Sequence, residues 1–218
     1  DNRLPEATSV HWHGMHMPAH CDGGPHQPIA PEATWEPRWT INQPGATLWY
    51  HPHPHGMTEK HVYRGLAGLF IVDDDTTERA DLPKNYGVDD IPLIVQDKKL
   101  RPDGTLDEAD DTKTGLLGQT IVTNGIAGAF LPVTTQRVRL RILNGSTARL
   151  YNFGFADDRE FSVVAVSLNK LAQPVTVTRI ALSPAERVEI VVDAGSEPVM
   201  LRSFAIDNRA GLGRDAAA

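Results

Sequence analysis

Apolar positions in this chain recur at every second residue over short runs, and glycine, proline, asparagine or aspartate cuts each run before it reaches helical length. The clearest case is 137–143, where Val138, Leu140 and Ile142 alternate with Arg137, Arg139 and Arg141. Successive side chains of a strand point to opposite faces. The pattern therefore predicts a half-buried strand whose arginine row marks a solvated or interdomain face. Residues 10–13, 35–42 and 47–53 also read as strands, and 66–72 is apolar throughout, as in the middle of a sandwich. Further strands are expected at 91–96, 120–124, 160–166, 175–182 and 187–193. Asp103-Gly104 and Asn144-Gly145 supply tight turns. Residues 183–186 fit one capped helical turn with Pro184 at its first position.

Short strands at regular spacing with turns between them predict an all-β protein of the sandwich or barrel type. Between the two groups of strands, 75–90 is charged, contains Pro83 and Gly87, and has no apolar period, so it reads as a linker. This divides the chain into a first β region at 1–74, the linker, a second β region at 91–207, and a tail at 208–218 that ends the region or begins a further linker. A strand begins almost at once after Asp1, so the chain reads as a portion of a longer protein whose first β region is incomplete.

Composition narrows the function. A formal net charge of -7 without a basic patch argues against a nucleic-acid partner. No apolar run is long enough to cross a bilayer. The single cysteine, Cys21, excludes an internal disulfide, says nothing about compartment, and is expected to be an unpaired, partly buried thiol.

The histidines carry the chemistry. All nine lie between His11 and His61, and four form two His-x-His pairs, His11-Trp12-His13 and His51-Pro52-His53. On a strand each pair presents two imidazoles on one face, and neighbouring strands would gather four neutral nitrogen donors around one cavity. Such a set suits copper, zinc, iron or nickel rather than calcium or magnesium. Trp12 and Trp49 read as packing residues that hold the imidazoles. His16, His20, His26 and His61 read as solvated loop residues, and His55 as a bystander to the pairs.

His11-Trp12-His13-Gly14 and Trp49-Tyr50-His51-Pro52-His53-Pro54-His55-Gly56, with Asp22-Gly23-Gly24-Pro25 between them, resemble the first two copper motifs of the multicopper oxidases, in particular the bacterial laccase-like and cuprous oxidase subgroup. The likeness continues through Gly65-Leu66-Ala67-Gly68-Leu69, the Ile91-Pro92-Leu93-Ile94-Val95-Gln96-Asp97 run and Leu140-Arg141-Ile142-Leu143-Asn144-Gly145, and so covers nearly the whole chain. The resemblance implies two cupredoxin-like antiparallel β-sandwich domains, the first of them incomplete. It implies copper as cofactor, with His11 matching a type 2 ligand and His13, His51 and His53 matching type 3 ligands. It places Asp22 in the proton path to the cluster. Dioxygen and a reducing substrate (a phenol, an aromatic amine or a metal ion) are the implied partners, and an extracytoplasmic location is implied too. The family's remaining ligands lie in a His-rich and a His-Cys-His motif of a last cupredoxin domain, and neither motif occurs here. Cys21 is followed by Asp22 and has no such context. The chain alone should therefore be inactive and needs a C-terminal cupredoxin domain to complete the cluster.

Three other readings compete. A copper-free scaffold of the same fold, of the cell-division or secretion kind, would be expected to have lost the histidines. A two-domain oxidase with an intersubunit cluster needs a His-Cys-His motif on the same chain. A zinc hydrolase needs a carboxylate base beside the pairs, and none is evident in the sequence.

Overall fold

A computed structural model of the chain describes residues 1–74, 81–109 and 115–206. The expected tail at 208–218 and residues 75–80 of the expected linker lie outside the described residues. Three strands form the first sheet: β1 (His11–His13), β2 (Ala46–His51) and β3 (Gly68–Val72), in the order β1-β2-β3 and antiparallel throughout. A short helix, α1 (Thr58–Tyr63), bridges β2 and β3. Its six residues are too few for a helical period to show in the sequence.

The second region is larger. Its strands are β4 (Asp90–Lys98), β5 (Thr120–Thr123), β6 (Ile126–Ala127), β7 (Arg137–Asn144), β8 (Tyr151–Phe155), β9 (Phe161–Val166), β10 (Asn169–Val177), β11 (Ile180–Leu182), β12 (Arg187–Asp193) and β13 (Leu201–Ser203). A seven-stranded sheet, β10-β9-β12-β7-β4-β5-β6, faces a three-stranded one, β11-β8-β13. Tyr151, Phe153 and Phe155 of β8 fill the space against Val138, Leu140 and Ile142 of β7 and Val188 and Ile190 of β12. All eight are buried. This is the sandwich core that the alternation predicted.

Several details differ from the sequence reading. β4 and β7 pair in parallel, while every other pair of neighbouring strands among the described residues is antiparallel. Alternation reports which face is buried and is blind to direction, and the long connection from 99 to 136 lets the chain return in the same sense. Residues 35–42 form no strand, since Pro37 has no N–H to give to a ladder. The run expected at 175–182 is two strands, β10 and β11, on different sheets. β10 begins earlier, at Asn169, and tolerates Pro174 because it is an edge strand with a register shift. Residues 183–186 make a β-turn rather than a helical turn, with Ala185 at φ 71°. The Glu186 carboxylate still accepts from the Ser183 N–H at 2.6 Å, the half of a capping box that the sequence suggested. The described part of the expected linker is packed: Leu82 is buried with Val164 and Val191.

β7 is also more buried than a half-buried strand. Arg137 is exposed, but Arg139 and Arg141 are 1% and 3% exposed, so their face is interdomain and not solvated. β2 covers it. Glu189 takes two bonds from Arg139 and one from Arg141, and Asp90 takes a two-pronged pair from Arg141 at 2.7 Å each. Thr47 of β2 donates to Glu189 at 2.6 Å and accepts from Arg141 at 2.8 Å. Buried charge is tolerated here because each group meets an opposite one with directed hydrogen bonds.

Candidate metal centre

The register of β1 on β2 sets His11 opposite His51 and His13 opposite Trp49. Side chains two apart share a face, so His11, His13 and His51 project from the same side of the sheet, with Trp49 and Thr47 continuing that column along β2. Ring centroids are 5.7 Å apart for His11 and His13, 5.2 Å for His11 and His51, and 5.5 Å for His13 and His51. One ring nitrogen from each of these three lies within 4.8 Å of the others. His53, beyond the end of β2, brings its ring to 5.3 Å from His11 and 5.8 Å from His51. The structure thus brings together all four side chains of the two His-x-His pairs.

Hydrogen bonds fix which nitrogens are free. The His51 Nδ1–H donates to the Pro52 carbonyl at 2.9 Å, which leaves Nε2 with its lone pair exposed to the cluster. The His13 Nδ1 faces that Nε2 at 3.3 Å, a pair that can share either a proton or a cation. The His11 Nδ1–H points at Asp22, 3.0 Å from the carboxylate Oδ1 and 3.2 Å from the backbone carbonyl, so its Nε2 is free as well. The His53 backbone N–H is held by the Ser9 hydroxyl at 2.8 Å, while its ring Nδ1 is buried without a hydrogen-bond partner. A buried imidazole nitrogen without a partner, on a ring that stands next to those of His11 and His51, is compatible with a fourth ligand to the three-histidine group.

Burial reinforces this. Desolvation, with smaller contributions from Arg187, His11 and His53, lowers the His13 imidazole from 6.5 to about 4. Desolvation also takes His51 to about 4, against the opposing hydrogen bond to Pro52. Both rings are neutral at pH 7, the form that binds metal.

Local sequence builds the support. Trp49 packs tilted over His51, at 4.1 Å and 31°, and against His13 at 5.2 Å. Trp12 turns to the opposite face of β1, among Trp39, Tyr50 and Phe70. Asp22 follows a single 3-10 turn (Ala19–Cys21), and Gly23 then crosses so close to β1 that a Cβ there would lie 1.9 Å from the Val10 carbonyl. Only glycine fits, and its φ of 65° is of the kind glycine adopts freely. Cys21 is 2% exposed, its thiol directed at the Arg38 carbonyl at 3.4 Å, away from the imidazoles.

His16, His20, His26 and His55 are exposed. His61 corrects its expectation as a solvated loop residue. It sits in α1, is 1% exposed, and bridges the Thr8 hydroxyl at 3.3 Å and the Glu6 carboxylate at 3.2 Å. Both partners lie in the segment that runs through Ser9 into β1, so His61 staples the helix to the chain that carries the site. Glu6 and Thr8 are more than fifty residues away in sequence, and no local pattern could have announced them.

Comparison with known proteins agrees with this picture. The multicopper oxidase family matches at residues 1–77 and again at 96–216. The chain is 40% identical over 197 residues to the multicopper oxidase mco of Staphylococcus haemolyticus, covering 88% of this chain and 42% of that protein. It is 38% identical over 196 residues to the cell division protein FtsP of Photorhabdus laumondii, covering 90% and 41%. Among solved structures, the bacterial laccase-like multi-copper oxidase CueO from Ochrobactrum sp. superposes with a TM-score of 0.89 at 38% identity, covering 99% of this chain and 49% of that one. The chain spans about two fifths of the length of these curated relatives. It belongs to the multicopper oxidase family.

Proposed function

We propose that this chain supplies His11, His13, His51 and His53 to a type 2/type 3 copper cluster, which a further cupredoxin domain with His-rich and His-Cys-His motifs completes. On this reading the whole protein couples one-electron oxidation of a reducing substrate to four-electron reduction of dioxygen to water, and it works outside the cytoplasm. Residues 1–74 form the copper-bearing domain and 91–207 the structural one. The observation that carries the reading is the cluster itself: three ligand nitrogens within 4.8 Å of one another, with a fourth ring alongside.

Bound copper would supply the redox couple that moves electrons to dioxygen. The chain's own residues prepare the site. Pro52 and Asp22 fix the tautomers of His51 and His11, and Trp49 screens His13 and His51 from water. Reducing dioxygen to two waters consumes four protons. Asp22, with its side chain 37% exposed and its Oδ1 against His11 Nδ1, stands where a proton can pass from solvent toward the site.

The relatives named as cell division proteins favour a second reading, a scaffold of the same fold that works without copper. Sequence identity does not choose between the two, since it is 38% to one relative and 40% to the other. The four imidazoles support the oxidase. The test is to express the full-length protein with copper, count the metal, and follow oxygen consumption with a phenolic donor. Bound copper and turnover that His51→Ala abolishes are expected. A full-length protein that folds, takes up no copper and consumes no oxygen would establish the scaffold instead.

A further inference from the structure

Arg187 opens β12 in the second region, yet its side chain reaches into the first. It is 4% exposed. Its Nε donates to the Thr47 carbonyl of β2 at 3.0 Å, and its Nη1 to the Ala185 carbonyl at 3.1 Å. Its Nη2 is buried with no hydrogen-bond partner. That nitrogen lies 3.2 Å from where a Cβ would stand on Gly14, the residue directly after His13. The guanidinium thus ends, with one arm unspent, behind the His13–Gly14 turn. β2, which it grips at Thr47, is the strand that presents Trp49 and His51 on the same face.

A buried arginine normally meets a carboxylate, because desolvating a lone guanidinium is costly. Glu189, on the same strand, is already committed to Arg139, Arg141 and Thr47, and the adjacent Glu186, whose charge favours the guanidinium only in part, accepts from the Ser183 N–H. Burial lowers the Arg187 guanidinium to about 10, so it stays charged at neutral pH. A fixed cation in a poorly screened interior repels a doubly charged ion more than a singly charged one, and the difference grows with the charge on the ion.

We propose that Arg187 is a positioning and charge-selecting residue for the four-imidazole site: it anchors β2 through Thr47 and sets a permanent positive charge behind His13, which biases the site toward a monovalent over a divalent metal ion. The inference rests on the imidazoles being the metal site. It gives the second region a direct part in the chemistry, beyond supporting the fold.

The test measures dissociation constants of the 218-residue chain for Zn(II) and, anaerobically, for Cu(I), with tryptophan emission as the signal over a range wide enough for weak binding. Arg187→Gln removes the charge and should tighten Zn(II) relative to Cu(I) on the order of tenfold. Arg187→Lys keeps the charge without the fork, and should leave that ratio near the wild-type value while thermal stability drops. Leu168 offers a route that leaves the buried arginine in place. Its Cδ2 lies 2.8 Å from the same point at Gly14, and it is 39% exposed. Leu168→Glu should shift the ratio as Arg187→Gln does, with Leu168→Gln as the neutral control, so the idea stays testable if Arg187→Gln does not fold. A metal ratio unchanged in Leu168→Glu and in any folded Arg187→Gln overturns the proposal. His51→Ala separates this from failure of the site itself. Ion binding that His51→Ala leaves intact would remove the imidazole site and the inference with it, whereas no binding by the wild-type chain would overturn the metal preference proposed here and leave the cluster reading to the full-length test.

Discussion

The two β regions divide the work unequally. The second buries fourteen residues in one continuous core between two sheets. The first has only Met15, Ala46 and Leu48 buried in its apolar cluster, with Trp12, Met17, Trp39, Phe70 and Val72 packed partly around them. All four clustered imidazoles sit on the region with the smaller core. Metal sites need ring nitrogens held to a few tenths of an ångström, and a three-stranded sheet with long loops offers little rigidity of its own. The comparison teaches that the site borrows its stiffness. Thr47 and Arg187 tie the ligand strand β2 to the seven-stranded sheet, and Glu189 holds the joint together from within.

The strongest way to break this arrangement is at that joint. Glu189→Ala removes the carboxylate shared by Arg139, Arg141 and Thr47, all of them buried. Leaving buried cations without that counter-charge should cost about 3–5 kcal/mol. Urea denaturation should show the midpoint falling accordingly, with the tryptophan signal, which comes from the first region, and the far-ultraviolet signal, dominated by the larger second region, falling together. A loss confined to one region would mean that the two do not lean on each other.

Core truncations sharpen the contrast. Ile142 and Leu48 are both 0% exposed, one in each region. Ile142→Ala should cost about 3–5 kcal/mol of global stability, because it opens a void in the large core. Leu48→Ala should cost about 2 kcal/mol, since fewer neighbours lose contact. Leu48 Cδ2 lies 3.1 Å from where a Cβ would stand on Gly14, so its loss should loosen metal binding as well. Paired denaturation and metal titrations check both; Ile142→Ala loosening metal more than Leu48→Ala does would reverse the comparison.

Gly23 is a smaller lever on the first region alone. Gly23→Ala would force a Cβ onto the Val10 carbonyl at a left-handed φ. It should cost about 1–3 kcal/mol and move Asp22 away from His11. A metal affinity and a melting midpoint both equal to wild type would show that the Asp22 loop does not depend on this close crossing.

How much of this was legible depends on range in sequence. Two His-x-His pairs on strands, the alternating β7 and the Gly-bounded turns are local signals, and they located the imidazole cluster and the sandwich core. The pairing of β4 with β7 in parallel, the burial of His61 against Glu6 and Thr8, and the ion network under β2 all join residues far apart in the chain. No window of sequence contains both halves of such a contact. β8 was not foreseen: its Tyr151-Phe153-Phe155 alternation spans only five residues, and Gly154 within it is a residue that weakens a strand. The glycine is required, because a Cβ there would stand 2.6 Å from both Arg179 Nη1 and the Thr178 carbonyl.

Proton linkage gives a further, gentler probe of the first region. His13 and His51 titrate near 4 in the folded chain, against 6.5 for the ordinary imidazole. As pH falls through about 6.5, the unfolded chain gains protons on these rings and the folded chain does not. Their contribution to stability in the metal-free chain is therefore intact above 6.5 and is lost progressively toward 4. Denaturation midpoints measured across that window should decline less steeply in His13→Gln and His51→Gln. Slopes that match the wild type would show that these rings are not held neutral by burial.

The smallest effect belongs to the arginine row, where three residues look alike in sequence and differ in surroundings. Arg137 has its side chain 45% exposed, meets Asp193 at 3.8 Å and donates to the exposed Asp81 carbonyl at 3.3 Å, whereas the Arg139 and Arg141 side chains are 1% and 4% exposed. A solvated pair at that distance gains little, because water screens the charges and the long side chain gives up freedom to stay in place. Arg137→Ala should change the unfolding free energy by less than about 0.5 kcal/mol, and raising the salt concentration should not alter that difference. Arg139→Ala, two residues along the same strand, should instead destabilise by several kcal/mol, on the order of the loss at Glu189, because it leaves a carboxylate buried without its main partner. Comparable losses at 137 and 139 would mean that β2 does not seal the arginine face, and that the first region is not held by the buried network beneath it.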